Sequence, residues 1–74
     1  MGVIDSRTRK LFGKRLRELR TDRGLSQEQL ADLAGLHRNY IGNIERGENG
    51  IGIDNIVLLA RTLKVKPAVL FDKW

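Results

Sequence analysis

Arg38, Asn39 and Asn43 carry the most specific chemistry in this chain of 74 residues. A guanidinium pairs bidentately with guanine O6 and N7, and a carboxamide does the same with adenine N6 and N7. On a helix, Asn39, Asn43 and Arg46 share one outward face, with Arg38 projecting from the first turn. Other chemistries are poorly supplied. There is no cysteine and a single histidine, His37, so disulfides and thiolate metal sites are excluded and no metal or cofactor is implied. No nucleophile, base and acid stand together, so the residues point away from an enzyme.

The elements that must position these side chains read as helices cut by glycines, with no alternation that would make a strand. In the first, Phe12, Leu16 and Leu19 form one apolar stripe. Asp5 or Ser6 is its cap, Gly24 its left-handed stop, and Arg20 falls on the edge of the stripe. The second has the clearest start in the chain: Ser26 as N-cap, Gln29 closing a capping box, and Leu25 with Leu30 as a hydrophobic staple. Leu30, Leu33 and Ala34 are its expected buried face, and Gly35 ends it. A third helix runs from about Arg38 to Arg46, with Ile41, Ile44 and Glu45 inward. After the glycine-rich loop of residues 47–52, a fourth helix begins near Ile53 and turns Ile56, Leu59, Ala60 and Leu63 to the core. The last starts at Pro67, a favoured first helical residue, and carries Ala68, Leu70 and Phe71. The spacing therefore predicts an all-α fold of five short helices in one domain, residues 1–74. Two helices joined by a glycine turn over about 26–46 form a helix-turn-helix. Ala31 and Gly35 are expected to allow close approach there, with Leu36 and Ile41 filling the angle. Residues of about 53–72 complete the core and serve dimerisation.

Charge narrows the partner. Lys and Arg number 14 against nine Asp and Glu, a net +5. Residues 1–23 hold eight basic and three acidic side chains, so the whole excess lies there. A basic segment on a neutral body suits a polyanion, nucleic acid before an anionic membrane surface. The longest apolar run, Ile56 to Ala60, is far short of a membrane span. No secretory segment follows the start, so the expected address is the cytoplasm.

The span from Leu25-Ser26-Gln27-Glu28-Gln29-Leu30-Ala31 through Tyr40-Ile41-Gly42-Asn43-Ile44-Glu45-Arg46-Gly47 resembles the phage-repressor/Cro-like (XRE) helix-turn-helix family. The likeness extends over roughly residues 8–72. The stretch from Gly35 to Gly42, followed by Ile44-Glu45-Arg46-Gly47, is similar to regulators that control restriction–modification operons. The resemblance implies a sequence-specific regulator that binds double-stranded DNA at a near-palindromic operator as a homodimer. Arg38, Asn39 and Asn43 then read bases from a recognition helix that enters the major groove N-terminus first. Gln27 grips a phosphate at the start of the second helix, Tyr40 reaches a backbone oxygen or a thymine methyl, and Arg46 holds a phosphate. Glu45 sits among apolar neighbours and needs a partner. Arg20 is available, and the family pairs these two positions, so Arg20–Glu45 is expected as a structural ion pair. Two departures from the family pattern weaken local features. His37 replaces the usual Ser or Thr cap of the recognition helix, and Gly50 and Gly52 replace polar loop residues.

Three further patterns are set aside. Gly47 to Gly50 matches the loop of RNA-binding KH domains but has no flanking strands. Gly2 with Ser6 matches a myristoylation signal, which a bacterial or phage regulator does not use. The glycines of 42–52 lack the Gly-Lys-Ser/Thr ending of a phosphate-binding loop. Leu58, Val69 and Trp74 are apolar where polar residues are common and are expected to form an exposed patch that a second subunit covers. The competing functions are an antitoxin that regulates its own operon, and a protein–protein adaptor without DNA readout. The operator sequence, the regulated genes, and activation against repression are not encoded in these features.

Overall fold

The computed structural model describes residues 6–74 and contains, among them, four α-helices followed by a 3-10 helix. The α-helices are α1 (Ser6–Asp22), α2 (Gln27–Ala34), α3 (Arg38–Glu45) and α4 (Ile53–Thr62), and the 3-10 helix spans Pro67–Phe71. The all-helical expectation holds, but the fifth helix is not α. Its turn closes through i to i−3 bonds, Val69 N–H to Lys66 O at 2.9 Å and Asp72 N–H to Val69 O at 3.3 Å. Five residues started by a proline give too few donors to establish an i to i−4 ladder. Asp5 and Gly2, invoked above as a cap and a modification site, lie outside the described residues. No described helix is long and apolar enough to cross a membrane.

Each α-helix owes its place to its apolar arc. Phe12, Leu16 and Leu19 of α1 are buried, as their spacing requires. In α2 the buried residues are Leu30, Ala31 and Ala34, whereas Leu33 is 65% exposed. At 100° per residue Leu33 falls roughly 100° from the centre of that arc. The two alanines, not a second leucine, face the neighbouring helices and let them approach. α3 contributes Ile41 and Ile44, and α4 contributes Leu59 and Ala60, with Leu63 just beyond. These side chains and Leu70 form one core in which α1 packs on α3 and on the 3-10 helix, and α2 packs on α3 and α4. Leu58 and Val69 rest half-buried against it rather than standing free.

Two glycines decide how the helices meet. Gly13 lies in the middle of α1, and a β-carbon there would stand 2.3 Å from the Ile44 carbonyl oxygen and 2.5 Å from that of Glu45. Its missing side chain is what allows the end of α3 to lie directly on α1. Gly35 acts differently from expectation. A β-carbon on it meets nothing within 4 Å, and its φ of +72° is the feature that requires glycine. It turns the chain from α2 into α3 and makes no close approach.

Candidate nucleic-acid interface

The start of α2 is fixed by its own residues. Ser26 Oγ accepts from the Gln29 N–H at 3.0 Å, and Gln29 Oε1 accepts from the Ser26 N–H at 2.8 Å. That closed capping box aims the first turn, with Gln27 and Glu28, toward α3. The start of α3 is capped as well, by an unexpected group. His37 takes the extended N-cap conformation, and its ring Nδ1 accepts from the Asn39 N–H at 3.1 Å. The accepting nitrogen carries no proton, so the ring proton resides on Nε2. The cap that the sequence put in doubt is present, supplied by imidazole instead of a hydroxyl.

Beneath this surface lies the Arg20–Glu45 pair. Arg20 Nε donates to Glu45 Oε2 at 2.6 Å and its Nη2 to Oε1 at 3.0 Å, a bidentate fork with side chains only 10% and 3% exposed. Arg20 Nη1 also donates to the Leu25 carbonyl at 2.7 Å, and the Gln27 amide donates to Glu45 Oε1 at 3.0 Å. One carboxylate thereby joins α1, the turn before α2, α2 itself and α3. The helical phase of Glu45 and the family resemblance together made the pair legible; the bond to Gln27 was not anticipated. The structure turns the Gln27 amide nitrogen inward to Glu45, and its oxygen lies beside Gly42, 3.4 Å from where a β-carbon would be. Arg46 Nη1 lies 3.1 Å from the same point, so Gln27 and Arg46 flank one glycine on the face of α3.

The candidate base readers are on the surface. Arg38 and Asn39 occupy the first turn of α3, exposed, and Asn43 lies one turn on, half-buried. Arg38 Nη1 lies 3.6 Å from Glu28 Oε2, with side chains 63% and 65% exposed. Arg46 Nε donates to Glu48 at 3.1 Å, and its Nη2 donates to Asn43 Oδ1. Both cations thus hold an exposed acid, and such pairs are weak enough in water to exchange for another anion. Tyr40 is half-buried, its hydroxyl accepting from the Asn55 amide of α4 at 3.0 Å. The accepting oxygen is engaged, while its own O–H hydrogen is left to donate.

Sequence reasoning missed Glu28, Glu48 and Asn55. Glu28 meets Arg38 only because the turn brings α2 across α3, and Asn55 meets Tyr40 across the loop; neither pairing has a local spacing rule. The basic first segment also proves less free than its composition suggested. Arg15 is buried and donates to the Val69 carbonyl at 3.0 Å and to Glu18 at 3.3 Å, Arg20 is spent on Glu45, and Arg23 reaches the Lys64 carbonyl. Part of the positive excess is therefore framework, binding α1 to the end of the chain.

Comparison with known proteins places these features in a wider set. Residues 16–70 match a family model described as helix-turn-helix. The chain is 43% identical over 65 residues to the control protein C.BamHI of Bacillus amyloliquefaciens, covering 86% of this chain and 80% of that one. Its fold matches the restriction-modification controller protein C.AhdI of Aeromonas hydrophila with a TM-score of 0.85 at 52% identity, over 86% of this chain and 97% of that one. It also matches the restriction-modification controller protein C.Esp1396I, solved as a tetramer in complex with its natural 35 base-pair operator, with a TM-score of 0.78 at 30% identity. That match covers 86% of this chain and 84% of the controller.

Proposed function

The chain belongs to the helix-turn-helix family, and from that premise we propose that it is a transcriptional regulator of the restriction–modification controller type. It binds double-stranded operator DNA sequence-specifically, as a homodimer, in the cytoplasm, and has no catalytic role. The observation that carries this reading is the first turn of α3. It is capped by His37, belongs to a helix whose last residue is held by the Arg20–Glu45 fork, and leaves Arg38 and Asn39 exposed at its leading end. A helix presented that way enters a major groove N-terminus first.

In this reading Arg38, Asn39 and Asn43 contact base edges, while Arg46, Gln27 and the Tyr40 hydroxyl hold the sugar–phosphate backbone. Glu28 and Glu48 keep the two guanidiniums ordered in the free protein and give them up to guanine and phosphate. The operator relative supports a multimeric complex on DNA, and the half-buried Leu58 and Val69, with Trp74, form the subunit contact. Selection from a random duplex library tests the reading. A two-fold related consensus, bound with an affinity that falls steeply with salt, is the expected result. Recovery of no consensus would refute it.

A further inference from the structure

Away from α3, a cavity of about 260 Å³ opens between the N-terminal half of α1, the loop before α4 and the end of the chain. Its apolar walls are Phe12, Ile51, Ile56, Phe71 and Trp74. The aromatic rings are fixed against one another, Phe12 and Phe71 with centroids 5.4 Å apart and Phe71 and Trp74 at 5.7 Å. Trp74 is anchored by its Nε1–H, which donates to the Leu70 carbonyl at 3.2 Å. Arg9 also lines this space, and its Nε is buried without any hydrogen-bond acceptor. A buried guanidinium donor with no acceptor is costly, and no described residue around it supplies one. Among the described residues, Thr8 and Asn49 are the other polar side chains at the cavity, and neither is an anion.

We propose that this cavity is a binding site for a small aromatic carboxylate. Each part of the ligand follows from a part of the site. The guanidinium of Arg9 matches a carboxylate, which pairs with a terminal nitrogen and, once the side chain shifts to admit it, supplies the acceptor that the buried Nε lacks. The tilted rings of Phe12, Phe71 and Trp74 suit an aromatic face or edge. The volume exceeds the roughly 150 Å³ that holds a benzene ring and falls short of the roughly 300 Å³ at which drug-sized pockets begin. One ring with a short acidic side chain fills that interval. A single cation favours a monoanion over a phosphate ester. The site is independent of the DNA-reading face and uses none of its side chains.

The one tryptophan of the chain is the reporter. Trp74 fluorescence, excited at a wavelength where the ligand does not absorb, is followed during titration of the full chain with 3-phenylpropionate. Saturable change at millimolar concentration or below is expected. The uncharged 3-phenylpropanol, and the Arg9→Gln variant titrated with 3-phenylpropionate, should each bind at least about tenfold more weakly, the factor lost with a charge-assisted hydrogen bond. Arg9→Lys, which keeps the charge and loses the fork, should fall between. A circular dichroism melt of Arg9→Gln matching the parent chain shows that the variant is folded. If it melts early, amide shifts of residues 49–51 in the parent chain, moved by the acid and not by the alcohol, serve instead. No saturation, equal binding of acid and alcohol, or a change that tracks protein concentration because a second copy fills the cavity would each overturn the proposal.

Discussion

Arg38 is the side chain on which base discrimination depends in the proposed complex, and its environment explains why. Its guanidinium is exposed yet not adrift, since Glu28 stands 3.6 Å from Nη1. The pair limits the rotamers that must be frozen on DNA and is weak enough to yield to guanine. Arg38→Ala is expected to cost about 1–3 kcal/mol at the preferred operator and to flatten the base preference at one position per half-site. Competition between cognate and scrambled duplexes measures both effects; unchanged discrimination would remove Arg38 from the readout. His37 acts one residue earlier and on the fold alone. Loss of the cap in His37→Ala should destabilise the protein by about 0.5–2 kcal/mol, and His37→Ser should recover most of it. A urea titration with an unchanged slope is the check.

At the scale of elements, the contact of α1 with α3 governs where the recognition helix points. It rests on Gly13 at one point and the Arg20–Glu45 fork at another. Removing one member of a buried pair strands the other charge, at about 3–5 kcal/mol. Arg20→Ala and Glu45→Ala should each lower the melting temperature by more than about 10 °C, with the double variant losing less than the sum. Single variants that melt like the parent chain would mean that the network contributes nothing. Glycine replacement separates helix propensity from packing. Gly13→Ala gains roughly 1 kcal/mol of propensity, but its methyl meets rigid backbone oxygens at 2.3 and 2.5 Å, so net destabilisation is expected. Gly42→Ala gains the same propensity and meets closely only the movable end of Arg46, at 3.1 Å, with Gln27, held by Glu45, at an ordinary contact distance of 3.4 Å. It should melt no lower than the parent chain, and higher if the Arg46 end swings clear.

At the scale of the whole molecule, a domain this small has little core to spare, and the second subunit of the proposed dimer would extend it. Leu58 and Val69 already lean on the core, so their outer surfaces add to it without rearrangement, while Trp74 stands 45% exposed at the chain end. Sedimentation at micromolar concentration is expected to show a dimer that Leu58→Glu and Val69→Glu weaken, with operator affinity falling alongside although no DNA-facing residue has changed. Circular dichroism separates a lost interface from a lost fold. A parent chain that stays monomeric both free and on its operator would exclude the dimer.

The features legible in the sequence are those that depend on neighbours along the chain. The Ser26–Gln29 capping box, the stop at Gly24, and the stripe of Phe12, Leu16 and Leu19 involve residues three or four apart, whose geometry a single helical turn dictates. The Arg20–Glu45 pair was legible because an acid phased with Ile41 and Ile44 demands a partner, a basic residue stood at the edge of another stripe, and the family resemblance pairs the two positions. What lay beyond the sequence depends on how the helices cross. Leu33 and Ala31 are both plausible core residues on a short helix, and only the side from which α3 and α4 approach decides between them. Gly13 looks like a defect in α1 until the carbonyls of α3 arrive against it. The acid beside Arg38, the amide beneath Tyr40 and the unsatisfied Arg9 above its aromatic cavity come from segments with no fixed spacing. Their meeting is set by packing, so tertiary structure alone decided it.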